Sequence, residues 1–175
     1  KVYPDMSDSE AVEALWNAIF KAVKVVDDDP LTAWQEHRKS FEARVAYLNK
    51  LNLNTLTYTN SLGTNLTVTL NEGYLFAGGG SYTTKGQYFF PNMPTEEIFT
   101  SPYRNGTNGV VYSSLPLNYN GNLIDEFKME FKDGRIIDFD AKMGKEVLKE
   151  MLSIDEGSLY LGEIALVPYD SPISN

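Results

Sequence analysis

The spacing of apolar residues changes after Leu51, and that change constrains the fold more than any other feature. Before Leu51, apolar residues recur every three or four positions, which is the period of an amphipathic helix. After Leu51, they alternate with polar residues in short segments rich in Thr, Leu, Val and Tyr, which is the period of a half-buried strand. Helices followed by strands predict an α+β fold.

Two helices are predicted in the first part of the chain. The first runs from residue 7 to about 26, and Ser7 and Glu10 have the spacing of a capping box. The second runs from about 31 to 51, with Asp29 as N-cap and Pro30 at the first helical position. The acidic run 27–29 is interpreted as a solvated cap rather than a cation site. The predicted apolar stripes are Val12, Leu15, Trp16, Ile19, Phe20 and Val23 in the first helix, and Leu31, Trp34, Phe41, Val45, Leu48 and Leu51 in the second.

The rest of the chain is predicted to form a mixed, largely antiparallel sheet with flanking helices. Alternating segments on either side of Asp133 and Gly134 are the strongest hairpin signal. Residues 103–109 are predicted to be a polar loop, and residues 141–153 a helix with Met143 facing inward. The main predicted strands are 55–59, 65–70, 109–113, 124–131, 135–139 and 159–167. The length of 175 residues fits one domain, 1–175.

Charge and composition exclude several classes of function. A net charge of -9 leaves no excess of cations to neutralise phosphates, so neither a nucleic acid nor an anionic membrane surface is expected as a partner. The absence of cysteine excludes disulfides, thiolate metal sites and cysteine nucleophiles, and it fits a cytoplasmic protein. Because the chain starts at Lys1 and stops shortly after an apolar segment, we expect it to be a portion of a longer protein.

Residues 78–102, GGGSYTTKGQYFFPNMPTEEIFTSP, place the carboxylates of Glu96 and Glu97 just after a proline-rich turn. Paired carboxylates can bind a metal or act as a general base. Taken alone, the pair is better interpreted as the solvated first turn of a helix or as a loop, because negative charge is favourable at a helix start. The three glycines 78–80 match no phosphate-binding pattern and predict a close approach of backbone to backbone or ligand.

Two further titratable residues stand out. Glu163 lies in the apolar context LYLGEIALVP, where a carboxylate is costly unless it is paired, protonated, bound to a metal or able to reach water at the end of a strand. Gly162 before it suggests a bulge. His37 is the only histidine, and beside Trp34 on a helix it is interpreted as structural, since it cannot form a zinc site alone.

Three long segments carry a resemblance to a known family: NMPTEEIFTSP, PLNYNGNLIDEFKMEFKDGRIIDFDAKMGKEVLKE and YLGEIALVPYDSPIS. They resemble the aminopeptidase T and aminopeptidase S (PepS) family of thermophilic metalloproteases. The segments AVEALWNAIFKAV, DPLTAWQEHRKSFEARVAYLN and GTNLTVTL are also similar to it, so the resemblance covers nearly the whole chain.

The resemblance implies a dimeric, cytoplasmic exopeptidase that removes N-terminal residues from peptides with two divalent metal ions, zinc, cobalt, magnesium or manganese. It implies Glu97 as one metal ligand, with Glu96 as the fallback, and Glu163 as a second ligand that is a candidate to bridge the metals. The remaining ligands, histidines and an aspartate, would lie beyond this chain, as would a separate N-terminal domain. This chain would then be a portion of the catalytic region of a larger two-domain enzyme, inactive in isolation. No general base is assigned, although either glutamate is a candidate.

A different class of function remains open. The abundance of Tyr, Asn and Gly in the strand region is also compatible with a non-catalytic binding or assembly module. Such a module would present aromatic side chains, rather than carboxylates, at its functional surface.

Overall fold

The computed structural model describes residues 3–25 and 29–173 of the chain. Within them lie the helices α1 (Asp8–Ala22), α2 (Pro30–Lys50) and α3 (Lys145–Met151). The strands are β1 (Thr55–Thr59), β2 (Asn65–Leu70), β3 (Ala77–Gly78), β4 (Ser81–Tyr82), β5 (Tyr88–Phe89), β6 (Ile98–Thr100), β7 (Pro102–Tyr112), β8 (Leu117–Tyr119), β9 (Asn122–Lys132), β10 (Arg135–Met143) and β11 (Ile164–Leu166). No helix of this part of the chain has the length and apolar character needed to cross a membrane.

The predicted α+β fold with a largely antiparallel sheet is confirmed. The main sheet has the strand order β1-β2-β7-β9-β10, with β8 paired to β9, and its pairs are antiparallel. Contacts divide the chain into two compact units. The helical unit comprises Lys1–Lys50, Phe76–Phe99 and Ala165–Asn175, and the sheet unit comprises Leu51–Leu75 and Thr100–Ile164. The assignment of 1–175 as one domain of a catalytic region stays a prediction.

The sheet unit follows the alternation of its sequence. In β2 the residues Leu66, Val68 and Leu70 are buried on one face while the residues between them are not. Helix α3 covers β9 and β10 and buries Leu148. The hairpin predicted at Asp133 is confirmed, because Lys132 pairs with Arg135 across it. Both turn residues have positive φ, as a two-residue turn of this kind requires.

Both predicted helix starts in the helical unit are confirmed. Ser7 and Glu10 form a reciprocal capping box at the start of α1. The carboxylate of Asp29 accepts hydrogen bonds from the backbone N–H groups of Leu31 and Thr32, at 3.1 Å and 3.2 Å. The end predicted for the first helix near residue 26 is about four residues too late, because α1 ends at Ala22 and Lys24 turns the chain with a φ of 56°. Residues 26–28, which include Asp27 and Asp28, lie outside the described residues.

The predicted apolar stripes are mostly not buried. None of the residues of α1 is buried, and α2 buries only His37 and Phe41, while Leu31 is 77% exposed. A helical period shows that a stripe exists, but burial requires a partner surface, and the described residues supply one only for the middle of α2.

Two predictions in the sheet unit were wrong. The loop expected at 103–109 belongs to β7, because Pro102 and residues 107–109 pair with β2 on either side of a register shift, despite the polar side chains. The helix expected at 141–153 starts only at Lys145, since residues up to Met143 continue β10 and Gly144 turns the chain with a φ of 73°. Met143 is therefore 52% exposed rather than inward.

The strand expected at 159–167 is also shorter than predicted. Tyr160 makes one isolated bridge to Arg135, and the strand itself covers only Ile164–Leu166. An apolar run shows that side chains can be buried, but a strand forms only where a neighbouring strand offers its hydrogen-bonding edge.

Candidate functional site

Glu96 and Glu97 point in opposite directions. From 96 to 99 the chain alternates between buried and exposed residues, with Glu96 and Ile98 buried and Glu97 and Phe99 exposed. This alternation is that of an extended chain, in which successive side chains lie on opposite sides. Of the two structures expected for this pair, the first turn of a helix is wrong and the loop is correct, because residues 95–97 form no helix or strand before β6. Only Glu97 is solvated in this loop, since Glu96 is only 5% exposed.

The carboxylate of Glu96 lies in a buried ion cluster. Its Oε1 atom is 3.1 Å from Nζ of Lys24 and 3.6 Å from Nε2 of His37. No described residue donates a hydrogen bond to Oε1, so the Lys24 contact is an ion pair without hydrogen-bond geometry. Burial lowers the pKa of the Arg44 guanidinium, and the negative charges of Glu96 and Asp170 oppose that lowering. Glu96 is therefore held inside a positively charged environment.

His37 binds the backbone next to this cluster. Its Nε2 is 2.7 Å from the carbonyl oxygen of Thr95, and because a carbonyl only accepts, this nitrogen carries the donated proton. The imidazole ring meets Trp34 and Phe41 edge to face, with centroid distances of 5.4 Å and 4.9 Å. This buried, hydrogen-bonded position agrees with the structural role predicted for His37.

Glu97 lines a pocket of about 490 Å³ in the helical unit. The glycines 78–80 form part of its wall, and the rest of the lining is mostly apolar, including Phe76 and Phe99. A Cβ atom on Gly78 would lie 2.7 Å from the carbonyl oxygen of Glu97, and one on Gly80 would lie 2.4 Å from that of Phe89. The predicted close approach of backbone at the glycine run is confirmed.

Glu163 belongs to the sheet unit, whereas Glu97 belongs to the helical unit. Glu163 is exposed and lies just before β11. Its apolar context predicted a position within a strand, and that prediction is wrong. A Cβ atom on Gly162 would meet no atom within 4 Å, so packing does not require glycine there. The Glu163 side chain therefore reaches water just before the start of β11, and its role as a metal ligand stays a prediction.

The donor chemistry of these residues fits a divalent metal ion only in part. Carboxylate oxygens are suitable ligands for zinc, magnesium and manganese. However, residues 3–25 and 29–173 contain no group of three or more Asp, Glu or His side chains that could hold an ion. The described part of the chain therefore offers single carboxylate ligands and does not complete a coordination sphere.

The sequence identifies Glu97 as a candidate ligand but does not reveal the buried cluster of Glu96, Lys24 and His37 next to it. Lys24 and His37 lie in separate segments, and no sequence pattern marks either as a neighbour of Glu96. A lone histidine near an apolar helix face predicts burial, but its partner at residue 95 is set by tertiary packing.

These features describe an α+β protein with an exposed carboxylate beside a glycine-walled pocket. Comparison with known proteins gives the class, because residues 1–175 match the family described as thermophilic metalloprotease (M29). The chain belongs to this family.

The relatives within the family carry aminopeptidase names. Aminopeptidase AmpS of Bacillus subtilis (strain 168) is 48% identical over 174 residues, which are 99% of this chain and 42% of that protein. Aminopeptidase T of Thermus aquaticus is 44% identical over 173 residues, with the same coverage of 99% and 42%. The solved structure of wild-type AmpT from Thermus thermophilus is 42% identical and superposes with a TM-score of 0.89 over 98% of this chain and 41% of that chain. The chain thus spans less than half the length of the relatives that it matches.

Proposed function

We propose that this chain is part of a divalent-metal-dependent aminopeptidase that hydrolyses N-terminal residues from peptides. The observation that carries the proposal is the match of all 175 residues to a metalloprotease family whose relatives are named aminopeptidases. The longer protein of which this chain is proposed to be a portion is called the parent protein.

Glu97 and Glu163 are the proposed metal ligands in this chain. Both carboxylates are exposed and therefore accessible to an ion, whereas the carboxylate of Glu96 is already engaged by Lys24. Exposure thus favours Glu97 over its fallback, Glu96. The remaining ligands come from parts of the parent protein outside this chain, which is why the described residues do not complete a site.

Two ions of zinc, cobalt, magnesium or manganese are proposed for the parent protein. A carboxylate can bridge two such ions, and Glu163 is the proposed bridging ligand. When bound, the ions would polarise the carbonyl of the scissile peptide bond and lower the pKa of a bound water molecule. The contribution of this chain is to present its two carboxylates and, through the pocket beside Glu97, to form one wall of the substrate cleft.

The parent protein is further proposed to act in the cytoplasm as a homodimer. The acidic, cysteine-free composition supports the location, and the family resemblance supports the dimer. Size-exclusion chromatography with light scattering would measure the mass of the assembly directly.

Substitution of the two ligands in the parent protein tests the proposal. Glu97→Gln and Glu163→Gln keep the side-chain shape but remove the charge, and each is expected to lower leucine-p-nitroanilide hydrolysis by about 100-fold or more, together with bound metal. Glu13→Gln and Glu72→Gln, at exposed positions in the helical and sheet units, are the matched controls. Wild-type activity and metal content in both ligand variants would contradict the assignment. A wild-type parent protein that neither hydrolyses peptides nor binds metal would favour the binding module.

A further inference from the structure

Three separate segments of the helical unit meet at Glu96. Lys24 comes from the turn after α1, where its φ is 56°, and His37 comes from the middle of α2. Lys24 contacts the carboxylate of Glu96, while His37 holds the carbonyl oxygen of Thr95. The two residues directly before Glu97 are therefore held from two different segments, the turn after α1 and the middle of α2.

Burial makes this attachment strong. The side chains of Glu96 and His37 are 5% and 8% exposed, and that of Lys24 is 21% exposed. A carboxylate buried to this extent loses its hydration and is stable only with a compensating charge nearby. Because Lys24 provides that charge at 3.1 Å, loss of the Lys24 ammonium would leave the buried carboxylate of Glu96 without its ion-pair partner.

The backbone on the other side of Glu97 is held as well. Ile98 pairs with Gly78 in the antiparallel contact of β6 and β3. The carbonyl oxygen of Glu97 itself lies so close to Gly78 that a side chain there would collide with it. With both flanks fixed and Glu96 directed inward, the extended chain directs Glu97 to the opposite side, beside the pocket.

We propose that Lys24 is a positioning residue that, through Glu96, holds the carboxylate of Glu97 in place for metal binding, next to the backbone that His37 anchors at Thr95. This inference rests on the proposed function, in which Glu97 is a metal ligand. Groups that orient a metal ligand from behind typically change metal affinity by about 10- to 100-fold when they are removed. A cluster that only stabilised the fold would change the unfolding temperature and leave the affinity of the folded protein unchanged.

The test uses the metal-free parent protein, titrated with Co²⁺ and followed by calorimetry and by cobalt absorption. Glu96→Gln and Lys24→Met are each expected to weaken the Co²⁺ affinity by about 10- to 100-fold in protein that circular dichroism shows to be folded. Lys24→Arg keeps the positive charge and is expected to restore affinity to within about threefold of the wild type. Glu13→Gln, an exposed charge removal in α1, is the matched control and should leave affinity unchanged.

The outcomes separate this inference from the proposed function. If Glu97→Gln binds Co²⁺ like the wild type, Glu97 is not a ligand, and both the ligand assignment and the inference fail. If Glu97→Gln loses affinity while folded Lys24→Met retains it, the ligand assignment stands and the positioning role is overturned. Lys24 is partly exposed and lies in a turn, so Lys24→Met decides the matter even if Glu96→Gln does not fold.

Discussion

The side-chain amide of Asn49 forms hydrogen bonds with both the backbone N–H and the backbone carbonyl of Phe76. Its Nδ2 donates to the carbonyl oxygen of Phe76 at 3.0 Å, and its Oδ1 accepts from the N–H of Phe76 at 2.7 Å. Helix α2 thereby fixes the chain just before β3 and the glycine run, at one wall of the pocket beside Glu97. An amide is the side chain that can donate and accept at once in this manner.

Asn49→Asp should therefore destabilise the protein. The aspartate keeps an acceptor for the N–H of Phe76, but it faces the carbonyl oxygen with a second acceptor in place of a donor. A loss of about 1 to 3 kcal/mol in the free energy of unfolding is expected, measured by denaturant titration. Asn17→Asp, at an exposed position of α1, is the control, and equal midpoints for the two variants would contradict the prediction.

Two glycines with positive φ should respond differently to alanine. A Cβ on Gly109 would lie 2.1 Å from the carbonyl oxygen of Asn65 in the neighbouring strand, whereas one on Gly73 would meet nothing within 4 Å. Gly73→Ala should cost only the conformational strain, about 1 to 2 kcal/mol. Gly109→Ala adds a displacement of β2 and should cost roughly 3 to 5 kcal/mol in total. Similar unfolding free energies for both variants would contradict this prediction, because they would show that β7 and β2 move apart at Gly109 without cost.

Tyr58 in β1 should be replaceable by phenylalanine with a gain in stability. Its hydroxyl is buried and has no hydrogen-bond partner among the described residues. Tyr58→Phe removes this unsatisfied group and is expected to raise the free energy of unfolding by up to about 1 kcal/mol. A destabilised variant would show that the hydroxyl has a partner.

The same substitution should alter the response to alkaline pH. Burial raises the pKa of the Tyr58 phenol in the folded protein, so the folded state keeps its proton more tightly than the unfolded state does. Stability from this group is complete below the unfolded pKa of about 10 and is lost as the pH rises towards the folded pKa. The stability advantage of Tyr58→Phe should therefore widen above about pH 10. An advantage that stays constant with pH would contradict this prediction.

The N-cap of α2 should give stability that depends on acidic pH. Hydrogen bonds from the hydroxyl and the backbone of Thr32 lower the pKa of Asp29 in the folded protein. A lowered folded pKa contributes stability above the unfolded pKa, and this contribution is lost as the pH falls through the folded pKa. Asp29→Ala should be less stable than the wild type near neutral pH, and the difference should shrink in acid. Asp29→Asn keeps a capping oxygen and should lack that pH dependence.

Local interactions explain which parts of the fold were predictable. The capping box at Ser7, the cap at Asp29 and the hairpin at Asp133 depend on residues within four positions of one another, so their pattern is visible in the sequence. The end of β10 was not visible, because residues 141–143 stay extended only through their pairing with β9. Helix propensity in that segment is overridden by hydrogen bonds to a neighbouring strand.

The sequence by itself determined the α+β class, the glycine run and the two consecutive carboxylates, and its long motifs determined the family resemblance. It did not distinguish between Glu96 and Glu97, because adjacent identical residues have the same composition and nearly the same context. Only the tertiary structure decided that Glu96 is buried against Lys24 while Glu97 faces the pocket. The physical reason is that an extended chain must place neighbouring side chains on opposite sides, and packing against the helices selects which side is buried.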